Sequence, residues 1–152
     1  MNFAADFMAH HDGLAASFFA HQRALLDRDF ARAAGELAAY RAALWAHMHD
    51  EESAVLPRYE AFGGDPDTPV RLFLGEHGNL RKFVDEFVAR VEALRAAPDD
   101  RVLLELFDRQ ATFKNLMLHH DLRERNVLYP FLAVRLPLAE QAVILAARTC
   151  RA

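Results

Sequence analysis

The 152-residue chain carries eight histidines, and its chemistry is concentrated around four of them. His47 is followed four residues later by Glu51, and His120 four residues later by Glu124. Four residues turn a helix through about 400°, so each pair lies within about 40° on one face, one turn apart. His11 and His77 complete a set of four imidazoles and two carboxylates. Buried together without compensation, such groups would each cost several kcal/mol. Two metal ions would supply the missing positive charge, each taking imidazole nitrogens while the two glutamates bridge between them. Imidazole with carboxylate suits iron first, with zinc and manganese as alternatives. A lone histidine in an apolar pattern is more often a hydrogen-bonded core residue, and a lone His-x-x-x-Glu recurs by chance in charged helices. Six such residues in one register are the stronger signal.

The elements that must position them follow from the apolar spacing, which alternates between three and four residues as core-facing helices require. One stripe runs from Phe3 through His11 to Leu25, and a second from Phe30 through His47 and Glu51 to Ala54. A third runs from Val70 through His77 to Leu94, and a fourth from Leu103 through His120 and Glu124 to Phe131. Thr68 followed by Pro69 reads as an N-cap and first helical residue, Pro98 as a stop, and Asp99 and Asp100 as the next N-cap. The links near 27–29 and 98 are so short that the helices they join must be antiparallel neighbours. The expectation is an all-α chain, a single domain over 1–152. An up-down-up-down four-helix bundle covers about 3–133, and a short C-terminal fifth helix covers about 137–149. That last helix packs across an open end of the bundle or against a second copy of the chain, as a homodimer. No strand pattern competes.

Hairpin geometry tests whether the histidines can meet. Reflection through a turn near 28 or 29 places His47 opposite residues 9 to 11, and reflection through 98 places His77 opposite 119. Both hairpins bring their histidines to one level, and helices packed about 8–10 Å apart let all four converge. His21 lies about 15 Å along its helix from His11 and reads as a core histidine. His10, His49 and His119 fall off the stripes and read as solvated or flanking. Tyr40 and Gln110 read as buried polar groups with local partners, and Arg81 as a surface bridge to Glu76 or Asp85. The offsets from His47 to Glu51 and Pro57 repeat from His120 to Glu124 and Pro130. That repetition marks either two equivalent hairpins meeting at a pseudo-twofold site or two similar helix endings.

Composition removes other functions. Eighteen Lys and Arg against 22 Asp and Glu leave a net charge of −4, which excludes the electrostatic footprint of a nucleic-acid binder or a polybasic membrane-surface protein. Purely apolar runs such as Ala142 to Ala147 fall far short of a membrane span. The opening MNFAADFMAHHD has no basic n-region, so a cytoplasmic location is expected. The single cysteine, Cys150, excludes an internal disulfide framework, paired-cysteine zinc sites and cysteine-ligated iron–sulfur clusters.

Four segments together resemble the hemerythrin-like (HHE cation-binding) domains: AHHDGL at 9–14, HMHDEESAVLP at 47–57, GEHGNL at 75–80 and HDLRERNVLYP at 120–130. The resemblance covers roughly residues 5 to 135. It implies a four-helix bundle around a centre of two non-haem iron ions. His11 and His47 would serve one iron and His77 and His120 the other, with Glu51 and Glu124 as bridges. Two departures from the oxygen-carrying hemerythrins are plain. Arg81 stands where those proteins have a fifth histidine, and stays protonated. Arg125 stands where their second bridging aspartate falls, so Glu124 must serve. Fewer protein ligands leave more positions for a small diatomic or oxygen-species ligand. Glu76, His49 and His119 are left as candidates to replace the missing ligand. A ferritin-like site is disfavoured, because no Glu-x-x-His pair occurs on these helices. The implied function is binding or sensing of oxygen, nitric oxide or redox state. A di-iron oxidase or peroxidase-type enzyme and an iron-buffering module are the alternatives.

Overall fold

A computed structural model describes residues 2–149; Cys150 lies outside them. Helix α1 (Phe3–Leu26) is followed by α2 (Phe30–Asp50), which runs through a π-helical turn (Glu51–Val55) into α3 (Leu56–Ala61). Helix α4 (Val70–Ala96) precedes α5 (Asp100–Arg123), which runs through a second π turn (Glu124–Leu128) into α6 (Tyr129–Arg135). Helix α7 (Leu138–Ala147) closes the described chain. The result is an all-α bundle of four long helices with a short C-terminal helix. The α1–α2 link turns at Arg28, whose φ is 57°, and Asp29 caps α2 by accepting from the Arg32 amide at 3.0 Å. Asp99 caps α5 by accepting from the amides of Arg101 and Val102. The start of α4 differs from expectation by one residue. Pro69 occupies the cap position and no side chain caps the helix, while the Thr68 carbonyl accepts from the buried Tyr59 hydroxyl at 2.9 Å. Pro69 lacks an amide proton, which removes one of the open donors at the helix start, and the Leu72 amide bonds the Pro69 carbonyl at 2.9 Å.

The two π turns have a common cause. Pro57 and Pro130 each fall six residues after a glutamate. Proline cannot donate, and its ring crowds the carbonyl four residues back. The helix widens instead, with the Leu56 amide bonded to the Glu51 carbonyl and the Tyr129 amide to the Glu124 carbonyl. Each glutamate is thus the first residue of a widened turn, a feature frequent at functional sites. The repeated offsets in the sequence mark two equivalent turns, one in each hairpin.

The core has two apolar halves. One, near the α1–α2 turn, is built around Phe18, Tyr40, Leu80, Phe87 and Phe113. The other joins Phe3, Phe7, Tyr59, Phe73, Tyr129 and Ile144. The stripe histidines and glutamates form a buried polar layer between them. His21 stands outside that layer, as expected of a core histidine. Its Nδ1 donates to the Ala33 carbonyl at 2.8 Å, and the Gln110 amide donates to its Nε2 at 2.9 Å. Gln22 donates in turn to Gln110 at 3.0 Å. Helix α7 packs across the open end. Gln141 donates to the carbonyls of Ala133 and Leu136, and Arg148 donates to the Asp6 carbonyl. The amide and hydroxyl of Thr149 both bond the Asp50 carboxylate.

Candidate metal centre

All six residues singled out from the sequence come together, one pair or one residue from each long helix. His11 comes from α1, His47 and Glu51 from α2 and its π turn, His77 from α4, and His120 and Glu124 from α5 and its π turn. All are buried. Two four-residue sets have ligand atoms within 4.8 Å of one another: His11, His47, Glu51 and Glu124, and Glu51, His77, His120 and Glu124. Both glutamates belong to both sets. Glu51 Oε1 lies 3.4 Å from His47 Nε2 and its Oε2 lies 3.3 Å from His77 Nε2. Glu124 Oε1 lies 2.8 Å from His120 Nε2 and its Oε2 lies 3.1 Å from His11 Nε2. Each glutamate therefore faces the histidine four residues earlier on its own helix and the first-helix histidine of the other hairpin. That arrangement is a pseudo-twofold.

The fit to metal can be read from atoms that are close but misaligned. Glu51 Oε2, His77 Nε2 and both oxygens of Glu124 are buried and make no hydrogen bond. Buried polar atoms are normally paired, so groups this close that fail to point at one another are aimed at something else. Electrostatics agrees. Burial alone would lower the His11 imidazole, yet the Asp121 and Glu124 carboxylates push it up to about 10. His120 is likewise raised well above its ordinary value, because Glu124, Glu76 and Glu51 outweigh its burial. Burial would raise Glu124, but His120 and His11 hold it well below the usual carboxylate range. His47 goes the other way, held down to about 3 by burial with His11 and His10 beside it. Protonated His11 consequently donates through Nε2 to neutral His47 Nε2 across 2.8 Å. Protons occupy the layer where cations would balance the two glutamates.

A second ring of side chains stands behind the imidazoles and holds two of the four by hydrogen bonds. His77 Nδ1 donates to Glu52 at 2.8 Å, and His120 Nδ1 donates to Glu76 at 2.9 Å. His11 Nδ1 lies 3.1 Å from Asp121. Arg81 pairs with Glu52 at 2.9 Å, and Arg123 pairs with Glu76. Two Arg–Glu–His chains thus end at the His77/His120 half, whereas His47 Nδ1 has no hydrogen-bond partner. Carboxylates in this position orient an imidazole and raise its basicity toward a metal.

Several sequence expectations are corrected here. Arg81 pairs with Glu52, not Glu76 or Asp85, and shares with His77 the same Glu52 oxygen. Glu76 is committed to His120 and Arg123, so it backs an imidazole and does not replace the missing ligand. His49 and His119 are exposed as expected, but His10 is buried with its ring 5.1 Å from that of His47. Sequence reasoning passed over Glu52, Asp121 and Tyr129. The first two directly follow Glu51 and His120, and that adjacency was the available signal. The Tyr129 hydroxyl donates to Glu51 while its ring stacks on Phe7 at 5.0 Å. It was hidden among ordinary core aromatics.

Comparison with family models decides the relationship: residues 2–132 match the hemerythrin HHE cation-binding domain. The chain belongs to that family. Comparison with curated proteins and with solved structures returned no match. Membership in the hemerythrin HHE family implies cation binding, and the two buried His/Glu sets are where this chain could hold the ions. Among the described residues no helix is long and apolar enough to cross a membrane.

Proposed function

We propose that this hemerythrin-family chain holds two non-haem iron ions and binds or senses oxygen, nitric oxide or redox state. The observation that carries the reading is the sharing of Glu51 and Glu124 between two histidine pairs. A single cation would not need both oxygens of both carboxylates. In this reading His11 and His47 hold one ion, His77 and His120 the other, and the two glutamates bridge. Bound iron would supply redox chemistry and positions open to a small ligand, since only imidazole and carboxylate groups surround it. The chain's own residues do the rest. Glu52 and Glu76 fix the His77 and His120 rings so that Nε2 faces inward. Tyr129 holds Glu51 by its hydroxyl. The apolar clusters on either side shield the layer along the bundle axis.

The test is metal analysis and absorption spectroscopy of aerobically purified protein beside His77→Ala and Glu124→Ala. The expected result is close to two irons per chain, with a charge-transfer band that both variants lose. The reduced protein, mixed rapidly with oxygen or nitric oxide, should change its spectrum. No spectral response to either gas would sink the sensing reading.

A further inference from the structure

The four long helices do not close evenly around the polar layer. Helix α1 packs closely on α2, α2 on α4 and α4 on α5, whereas α1 and α5 are more widely spaced and meet through long side chains such as Phe18 and Phe113, whose rings lie 5.2 Å apart. A cavity of about 320 Å³ lies in that seam. Its lining residues run along α1 from His11 to Gln22 and along α5 from Asp121 back to Phe113. At 1.5 Å per residue the cavity therefore follows the helices for about 16 Å.

The two ends differ from the middle. At one end are His11, the ligand candidate, and Asp121 behind it. At the other are Gln22 and the exposed Lys114, whose ammonium lies 3.4 Å from Gln22 Oε1. Between them the wall is apolar, with Phe18 and Phe113 buried. At the rim, Phe19 and Leu118 are 65 % and 53 % exposed. A diatomic molecule would fill little of this space, since about 150 Å³ suffices for benzene and a water's share of the liquid is about 30 Å³. Water gains little along the Phe18 and Phe113 wall, which offers it no hydrogen-bond partner.

We propose that this seam binds an elongated apolar molecule with one anionic head, seated at Lys114 with its apolar end beside His11. The direction follows from charge. At the inner end the Asp121 carboxylate lies 3.1 Å from His11 and the two charges answer each other, whereas at the outer end the exposed Lys114 ammonium faces only the neutral Gln22 side chain. The binding claim stands on the cavity. Only the role of that molecule as a second ligand beside the metal centre rests on the function proposed above.

Octanoate is the probe, because eight carbons with C–C bonds near 1.5 Å reach about 10 Å, the rise along α5 from Lys114 to Asp121 at about 1.5 Å per residue. Zinc-loaded and metal-free protein, labelled with ¹³C at methionine methyls, would be titrated with it. Among the described methionines only Met117 lines the cavity. Its methyl resonance should shift saturably while those of Met8 and Met48 stay in place. Ala15→Trp fills the seam from an exposed rim position and should abolish the shift, with unfolding temperature and zinc content unchanged. Lys114→Gln should weaken octanoate about two- to fivefold, the effect of one solvent-exposed ion pair, and leave 1-octanol binding unaltered. No Met117 shift up to the solubility limit would overturn the proposal, as would a shift that survives Ala15→Trp. Equally decisive against it would be a homodimer that covers Phe19 and Leu118 and excludes octanoate. Zinc carries no redox chemistry, so the two readings fail separately. Octanoate binding with no response of the iron form to oxygen or nitric oxide would sink the function and spare the cavity.

Discussion

Glu76 lies behind His120, and replacing it should weaken metal binding by an amount that depends on what remains. Its Oε2 accepts from His120 Nδ1 at 2.9 Å, and its other oxygen pairs with Arg123. Loss of a carboxylate behind a ligating imidazole typically costs about 10- to 100-fold in metal affinity, or about 1.4 to 2.7 kcal/mol. Glu76→Gln keeps an amide oxygen that can still accept from Nδ1, so its loss belongs near tenfold. Glu76→Ala leaves a buried N–H without a partner, so its loss belongs near 100-fold. Only the half served by His77 and His120 should weaken, because no side chain of the His11/His47 half contacts Glu76. Competition of zinc against a coloured chelator would measure this, with metal stoichiometry at saturation remaining two in both variants. Equal losses in the two variants, or none in either, would refute the argument that Glu76 acts by orienting and polarising His120.

Four further outcomes are expected. His11 has its pKa raised from 6.5 to about 10 in the folded, metal-free chain. Its contribution to stability is therefore complete below pH 6.5 and lost as pH rises through about 10. Thermal melts of metal-free protein should show a falling midpoint between pH 7 and 10, and zinc, which replaces the proton, should remove that fall. Gln110→Ala should cost about 2–4 kcal/mol in urea unfolding, by leaving the buried His21 Nε2 unpaired and opening a void. It should leave metal content untouched. Tyr129→Phe should cost about 1 kcal/mol of stability and, in the proposed centre, alter the visible spectrum of the iron-loaded protein, because the lost hydroxyl bonds Glu51. Asp50→Ala should speed amide hydrogen exchange in α7, whose following residue Thr149 is anchored to that carboxylate. The exchange of α4 should not change.

Much of the site was legible because helical periodicity and short links fix depth along an axis. A histidine on an apolar stripe must point inward, and a three-residue link leaves little freedom in the level at which antiparallel neighbours meet. His11, His47, His77 and His120 follow from those two constraints, and Glu51 and Glu124 follow by standing one turn from a histidine. His10 shows the limit of the method. It lies off the α1 stripe, yet α2 packs closely enough to bury it against His47. Periodicity places a residue on its own helix but carries no information on how far the neighbour's surface wraps around it. Arg81 failed for a related reason. Its partner Glu52 belongs to a different hairpin, whereas Glu76 and Asp85 are neighbours on its own helix.

The sequence by itself determined the helices, their antiparallel pairing, the level of the polar layer and the six residues in it. These depend on spacing within one helix and on the length of a link, both of which are local. Only the tertiary structure decided which glutamate oxygen faces which histidine, and that Glu52, Glu76 and Asp121 stand behind the imidazoles. It also decided that α1 and α5 part to leave a cavity beside His11. Those depend on the rotation and separation of helices from different hairpins, which packing of the whole core sets and no stretch of sequence encodes alone.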